Sequence, residues 1–324
     1  MPVPSRRDAL RAVLMSGLTA GMTGGLLAGC AAVPAAAPGR ALQLAPGVYM
    51  VPGSGGVADE HNLGRIGNAG FVVGDSGVVA IDTGTSLAHG RALLATIRSV
   101  TDLPVKLALV THTRPEFLFG GAAFRERGIP IRMHARTARL MASRCETCLK
   151  ALRQQVGEGP MQGTTMYKAD QEFEVSHRLE LIGRPLQVLY FGHSSGPGDI
   201  AVLDERSGVL FAGGLLDERR IPDIQDSDLE GWKRALKALS ALRVGTVVPG
   251  HGSASSPAAI NAVETYLAQL DARVRALVGA GASLLGVADE AELPDFEAWD
   301  QYEVIHRRNA SVAFLRVERE MMFK

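Results

Sequence analysis

Two periodicities divide the chain: short apolar runs that read as buried strands, and longer stretches with apolar residues three and four apart that read as helices. Residues 42–51 predict a first strand, with a loop at 53–56. Residues 68–74 predict a second, closing at Asp75-Ser76-Gly77, a hairpin signal, before a third at 78–84 that carries Asp82 near its end. Leu87, Leu93, Leu94 and Ile97 give residues 86–100 helical spacing, and 105–110 returns to a strand. A short helix at 122–127, a strand at 131–134 and a helix at 137–156 follow. The second half repeats the theme. Strands are expected at 173–175, 179–182, 186–191, 200–203 and 208–211. An amphipathic helix at 228–242 (Leu229, Trp232, Leu236, Leu239) has Ser227 or Asp226 as its expected cap. A strand at 244–248 leads to helices at 258–278 and 297–319, the last in one or two pieces. Two strand-rich blocks, each followed by helices, predict an α/β class. The architecture expected is a four-layer αβ/βα sandwich, with sheet on sheet and helices covering both outer faces. No linker interrupts residues 42–324, so one domain is expected there.

The N-terminal pattern differs. Arg6 and Arg7 precede a mildly apolar run at 12–28 that is rich in Gly, Ala and Thr and less apolar than a membrane span. It ends Leu27-Ala28-Gly29-Cys30, similar to a bacterial lipobox. The expectation is a twin-arginine lipoprotein signal at 1–29 and an Ala/Pro-rich tether at 30–41, lipidated at Cys30, with the body anchored to a membrane in the periplasm. An uncleaved anchor helix is the alternative. Removing 1–29 takes away Arg6, Arg7, Arg11 and Asp8 and leaves 31 basic and 33 acidic residues. The full chain balances 34 against 34, which gives no basic face for nucleic acid. Three cysteines exclude a disulfide scaffold.

The candidate chemistry lies at strand ends. His112, His193 and His251 each follow an apolar run and precede small or turn residues. A histidine leaving a buried strand is well placed to meet a metal, although a single one is better explained by local bonding, and it is the three together that point to a site. Cys145 and Cys148 fall three apart on one helix face, where a thioredoxin-like redox role lacks its usual place at a helix start. His61, His89 and His177 are expected in solvent, and His306, with Asn309 and Trp299, at the packing of the last helix.

The run Thr111-His112-Thr113-Arg114-Pro115-Glu116-Phe117 before Gly120-Gly121 resembles the Thr-His-x-His-x-Asp-His-x-x-Gly signature of the metallo-β-lactamase superfamily. The resemblance extends to Gly47-Val48-Tyr49, Ile81-Asp82-Thr83-Gly84, Gly192-His193 and Val248-Pro249-Gly250-His251. The stretch 220–232 and the C-terminal Trp299, Tyr302, His306 and Asn309 are similar to the branch of quinoprotein relay system zinc metallohydrolases and sulfur-oxidation-cluster proteins. The resemblance implies metal ligands at His112, His193 and His251. It implies a carboxylate at Asp82 that orients a ligand, with His134 and Asp199 beside the cleft.

The departures are specific. Arg114, Glu116 and Phe117 stand where the signature has His, Asp and His, and Gly214 stands where the superfamily has a metal-bridging aspartate. Arginine cannot ligate, and its fixed charge repels a dication. A two-metal centre needs ions roughly 3.5–4 Å apart across a bridging water, and this residue set does not provide for it. Two uses remain. One is a single zinc on His112, His193 and His251, with Glu116 as fourth ligand or catalytic base. The other is an accessory protein with a remodelled cleft, in which Arg114 clamps a small anion or the site has simply decayed, and with a periplasmic dehydrogenase as partner.

Overall fold

The computed structural model describes residues 39–323. The expected signal segment, Cys30 and most of the tether lie outside those residues. Among the described residues, no helix is long and apolar enough to cross a membrane.

The first sheet has seven strands in sequence order. They are β1 (Leu42–Ala45), β2 (Val48–Val51), β3 (Ala69–Val73), β4 (Val78–Ile81), β5 (Val105–Leu109), β6 (Ile131–His134) and β7 (Gln171–Phe173). β1 to β4 pair antiparallel, and β4 through β7 pair parallel. The second sheet runs β12-β11-β10-β9-β8: β8 (His177–Leu179), β9 (Leu186–Tyr190), β10 (Ile200–Asp204), β11 (Val209–Gly213) and β12 (Thr246–Pro249). Only β11 and β12 pair parallel in it.

Alternation along the strands builds three cores. Val79 and Ile81 of β4 face Val202 and Phe211 of the other sheet, while Val78 and Ala80 face the helices behind. Ile200 and Val202 of β10 likewise join the inter-sheet core, and Ala201 and Leu203 face the opposite helical layer. With both faces covered, these strands read as unbroken apolar runs. Each fully buried Val, Leu or Phe contributes roughly 1.5–3 kcal/mol. Helices α1 (Leu87–Val100), α2 (Pro115–Leu118), α3 (Gly121–Glu126) and α4 (Ala135–Val156) accompany the first sheet. Helices α5 (Leu229–Ser240), α6 (Ala258–Gly279), α7 (Val287–Glu290) and α8 (Arg307–Met322) accompany the second. The four-layer αβ/βα sandwich is therefore the observed architecture.

Four local expectations change. The single first strand is a hairpin, because Gly47 turns with φ of 76° between β1 and β2. The strand expected at 179–182 ends at Leu179, as β8. The cap of α5 is Asp228, whose carboxylate accepts from Gly231 N at 3.2 Å. The C-terminal helix begins as a π turn (Tyr302–His306) that runs into α8. There Asn309 donates to Pro222 O at 2.7 Å and accepts from Ile224 N, fixing the loop after β11.

Candidate functional site

The parallel pairs β4–β5 and β11–β12 turn their carboxyl ends to one edge, the usual place for a site in α/β sheets. At the end of β4, Asp82 adopts φ of 60°, a left-handed conformation that aspartate tolerates better than most residues. This turns its carboxylate under the end of β5, where it accepts from Thr111 N at 2.8 Å and from the Thr111 hydroxyl at 2.8 Å. Thr111 Oγ1 in turn lies 2.8 Å from His112 Nδ1. Asp82 thus orients His112 through Thr111, an indirect form of the role the resemblance implied. Burial pushes Asp82 up to about 7, against the lowering by Thr111. His112 Nε2 is buried and has no hydrogen-bond partner. Burial, with Arg114's charge, brings His112 down to about 3, so the ring is neutral.

Pro115 at the first position presets the short α2, and Thr83 holds it: its N donates to Phe117 O at 2.7 Å, and its hydroxyl faces Phe117 O and Leu118 O at 3.0 and 2.8 Å. The turn brings Glu116 and Phe117 inward. Phe117 is fully buried, its ring 4.1 Å from the His112 ring and 5.2 Å from that of His251. A side chain at Gly67 would collide with this ring, so the glycine makes room for the phenylalanine.

His251 meets carboxylates at both nitrogens: Nδ1 lies 2.7 Å from Asp217 Oδ1, and Nε2 lies 3.1 Å from Glu116 Oε1. Burial opposes its charge, but Asp217 and Glu116 raise its affinity for a proton above the usual value. Arg114 Nη1 lies 3.6 Å from Asp217 Oδ2, and its Nη2 donates to Asp223 O at 3.4 Å. Burial would raise both acids. His251 and Arg114 instead hold Asp217 well below the carboxylate range and bring Glu116 down to about 2. The result is an alternating row: Glu116, His251, Asp217, Arg114.

The remaining expected residues stand apart from that row. His193 Nε2 lies 2.7 Å from Asp226 O, which occupies the nitrogen a metal would need. His134 caps α4, accepting from Arg136 N at 3.1 Å, and its Nε2 faces Glu174 O at 3.1 Å. Both of its ring nitrogens thus face backbone groups. Asp199 accepts from Ser195 Oγ at 2.7 Å, and burial pushes it up to about 6. It borders Gly214, where a Cβ would lie 2.9 Å from both Asp199 Oδ2 and His112 Cδ2. An aspartate at 214 would require Asp199 to move. His89, expected in solvent, is buried on α1, accepting from Thr85 N at 3.1 Å. His306 packs as expected, with Nε2 2.9 Å from Ala291 O.

Sequence reasoning passed over Asp217. Its signal was faint: an acid four residues beyond the end of β11, where a strand-end turn can bring it under His251. A metal fits this arrangement poorly. His112 offers a free nitrogen, but His251 is saturated, His193 is engaged and Phe117 fills the space between two of the rings. Among the described residues, no group of three or more His, Cys, Asp or Glu side chains is placed to hold an ion.

Fold and site placement together define a four-layer αβ/βα protein with its site at the strand ends. A family model described as the metallo-beta-lactamase superfamily matches residues 63–251, and the chain belongs to that superfamily, whose members commonly bind zinc. Among solved structures it is similar to a metallo-beta-lactamase from Pontibacter korlensis, at 21% identity and a TM-score of 0.58, over 71% of this chain and 98% of that one. It is also similar to TMB-1, at 16% identity and a TM-score of 0.58, over 72% and 98% of the two chains. At these identities the likeness shows the shared fold.

Proposed function

We propose that this chain is an exported, lipid-anchored member of the superfamily in which an internal ion network stands in place of the dinuclear zinc centre. In this reading it does not carry out ordinary zinc hydrolysis. It serves as an accessory protein of periplasmic quinoprotein or sulfur oxidation, the branch to which its 220–232 and C-terminal stretches are similar. The observation that carries the reading is His251, with both nitrogens on carboxylates and Phe117 against its ring. Arg114 supplies, from within, positive charge that a metal would otherwise bring to Asp217. Its charge is thereby balanced inside the site instead of facing an incoming anion. Elemental analysis of the protein purified from its own compartment tests this: well under one zinc per chain is expected, and stoichiometric zinc overturns it.

A second reading rests on the bare His112 Nε2 and on the 3.1 Å between His251 Nε2 and Glu116 Oε1. A single zinc on His112, His193 and His251, with Glu116 as fourth ligand or catalytic base, would need His193 released from Asp226. Activity against esters, thioesters or lactams that rises with added zinc and is lost in Glu116→Gln would support it. For the anchor, Cys30→Ala is expected to release the protein from membranes, whereas continued attachment would favour an uncleaved helix.

A further inference from the structure

Helix α4 carries two free thiols on the face packed into the core behind the first sheet. Cys145 is buried at 2% exposure, and Cys148, one turn on, is half-buried. Met141 stands one turn before Cys145 and is buried too, so residues 141, 145 and 148 follow a single helix stripe. The same core holds Met133, Met161 and, partly buried, Met166. With Met141, these are four of the chain's ten methionines, which makes this the sulfur-rich region of the described structure.

A disulfide suits the pair poorly. It needs Cβ atoms about 3.5–4.5 Å apart, whereas residues three apart on a helix stand about 5–6 Å apart. A bridging cation removes the conflict, because two thiolate–metal bonds of about 2.3 Å each span up to about 4.6 Å between the sulfurs. Among the described residues, no histidine or carboxylate joins the two thiols to make a set of three. Zinc, which takes four N, O or S ligands, is not provided for, while thiolate and thioether donors together favour Cu(I). Arg144, one turn before Cys148, adds the last element. It is ion-paired with Asp226 and lies beside the thiols, where its charge faces the one negative charge that two thiolates and one monovalent cation leave.

We propose that Cys145 and Cys148 form a binding site for a soft monovalent cation, Cu(I), with Met141 as the third sulfur donor. Two thiols and one Cu(I) give the bis-thiolate complex and two released protons, with no electron transferred. The exposed side of Cys148 is the point of entry.

The test uses the full chain carrying Cys30→Ala, so that the helix pair supplies the only thiols. Cu(I) is titrated anaerobically in competition with bicinchoninate, and a thermal melt follows each variant. The expected result is one Cu(I) held per chain, with a raised melting temperature. Binding is lost in Cys145→Ser and Cys148→Ser and weakened in Met141→Leu. Cys148→Ser alters a half-buried position and keeps the test valid if Cys145→Ser fails to fold. Copper uptake no greater than that of Cys148→Ser overturns the proposal, as does displacement of the copper by equimolar zinc. Ready closure of a Cys145–Cys148 disulfide in air with an unchanged melting curve also overturns it, since the helix would then accommodate the bond.

Discussion

His112 and His251 leave strands of two different sheets, both are buried, and both lay their rings against Phe117. They end in opposite electrical states. His112 meets a hydroxyl at one nitrogen and nothing at the other, and burial keeps it neutral down to about 3. His251 meets a carboxylate at each nitrogen and holds its proton more tightly than a free imidazole. Placement at a strand end therefore does not fix what a histidine does; the charges that reach its second nitrogen do. In the His251 half, Glu116 and Asp217 build those charges and Arg114 balances them. The His112 half has only Thr111 and the more distant Asp82.

Asp217 is the residue on which this contrast depends most. Asp217→Asn leaves Arg114 and His251 facing each other without the acid between them, and is expected to cost about 3–5 kcal/mol in urea denaturation. A loss below 1 kcal/mol would mean the row carries little. Glu116→Gln keeps an acceptor for His251 Nε2 but removes one charge, and should cost less, about 1–3 kcal/mol by the same measurement. It should also lower the His251 titration midpoint in an NMR pH series, because the Glu116 hydrogen bond raises it.

A smaller, separable effect concerns His89. Burial lowers it to about 3, so the folded ring stays neutral while the unfolded ring protonates near 6.5. As pH falls below that value the unfolded chain gains a proton that the folded chain does not. Stability then declines with a slope approaching about 1.4 kcal/mol per pH unit, until about 3, where the folded ring also protonates. His89→Gln should flatten this part of the stability curve between pH 6 and 4. An unchanged slope would place the acid sensitivity elsewhere.

The strands of both sheets were legible because burial on two faces leaves long apolar runs, and the helices because their spacing is regular. Boundaries were lost where a single backbone angle decides them, as at Gly47, or where neighbouring acids compete for one cap, as at Asp226 and Asp228. His112, His251, Asp82 and the departures at Arg114, Glu116, Phe117 and Gly214 could all be read by position. Their partners could not. Asp226 takes the nitrogen of His193 from 33 residues away, and Asp217 reaches His251 across 34. Arg114 could be expected to pair with Glu116, its near neighbour, but it faces Asp217 while Glu116 faces His251. Contacts of that separation are set by which strand ends and loops the tertiary fold brings together, and no local pattern encodes them.

In the proposed reading, protons occupy both nitrogens of His251, the position at which the resemblance implied a metal ligand. Histidine side-chain 15N NMR during a zinc titration tests it directly. Two protonated nitrogens on His251 are expected near neutral pH, with signals that stay in place as zinc is added to equivalence. Loss of the Nε2 proton, with a shift of that nitrogen on the first equivalent of zinc, would contradict it and restore His251 as a metal ligand.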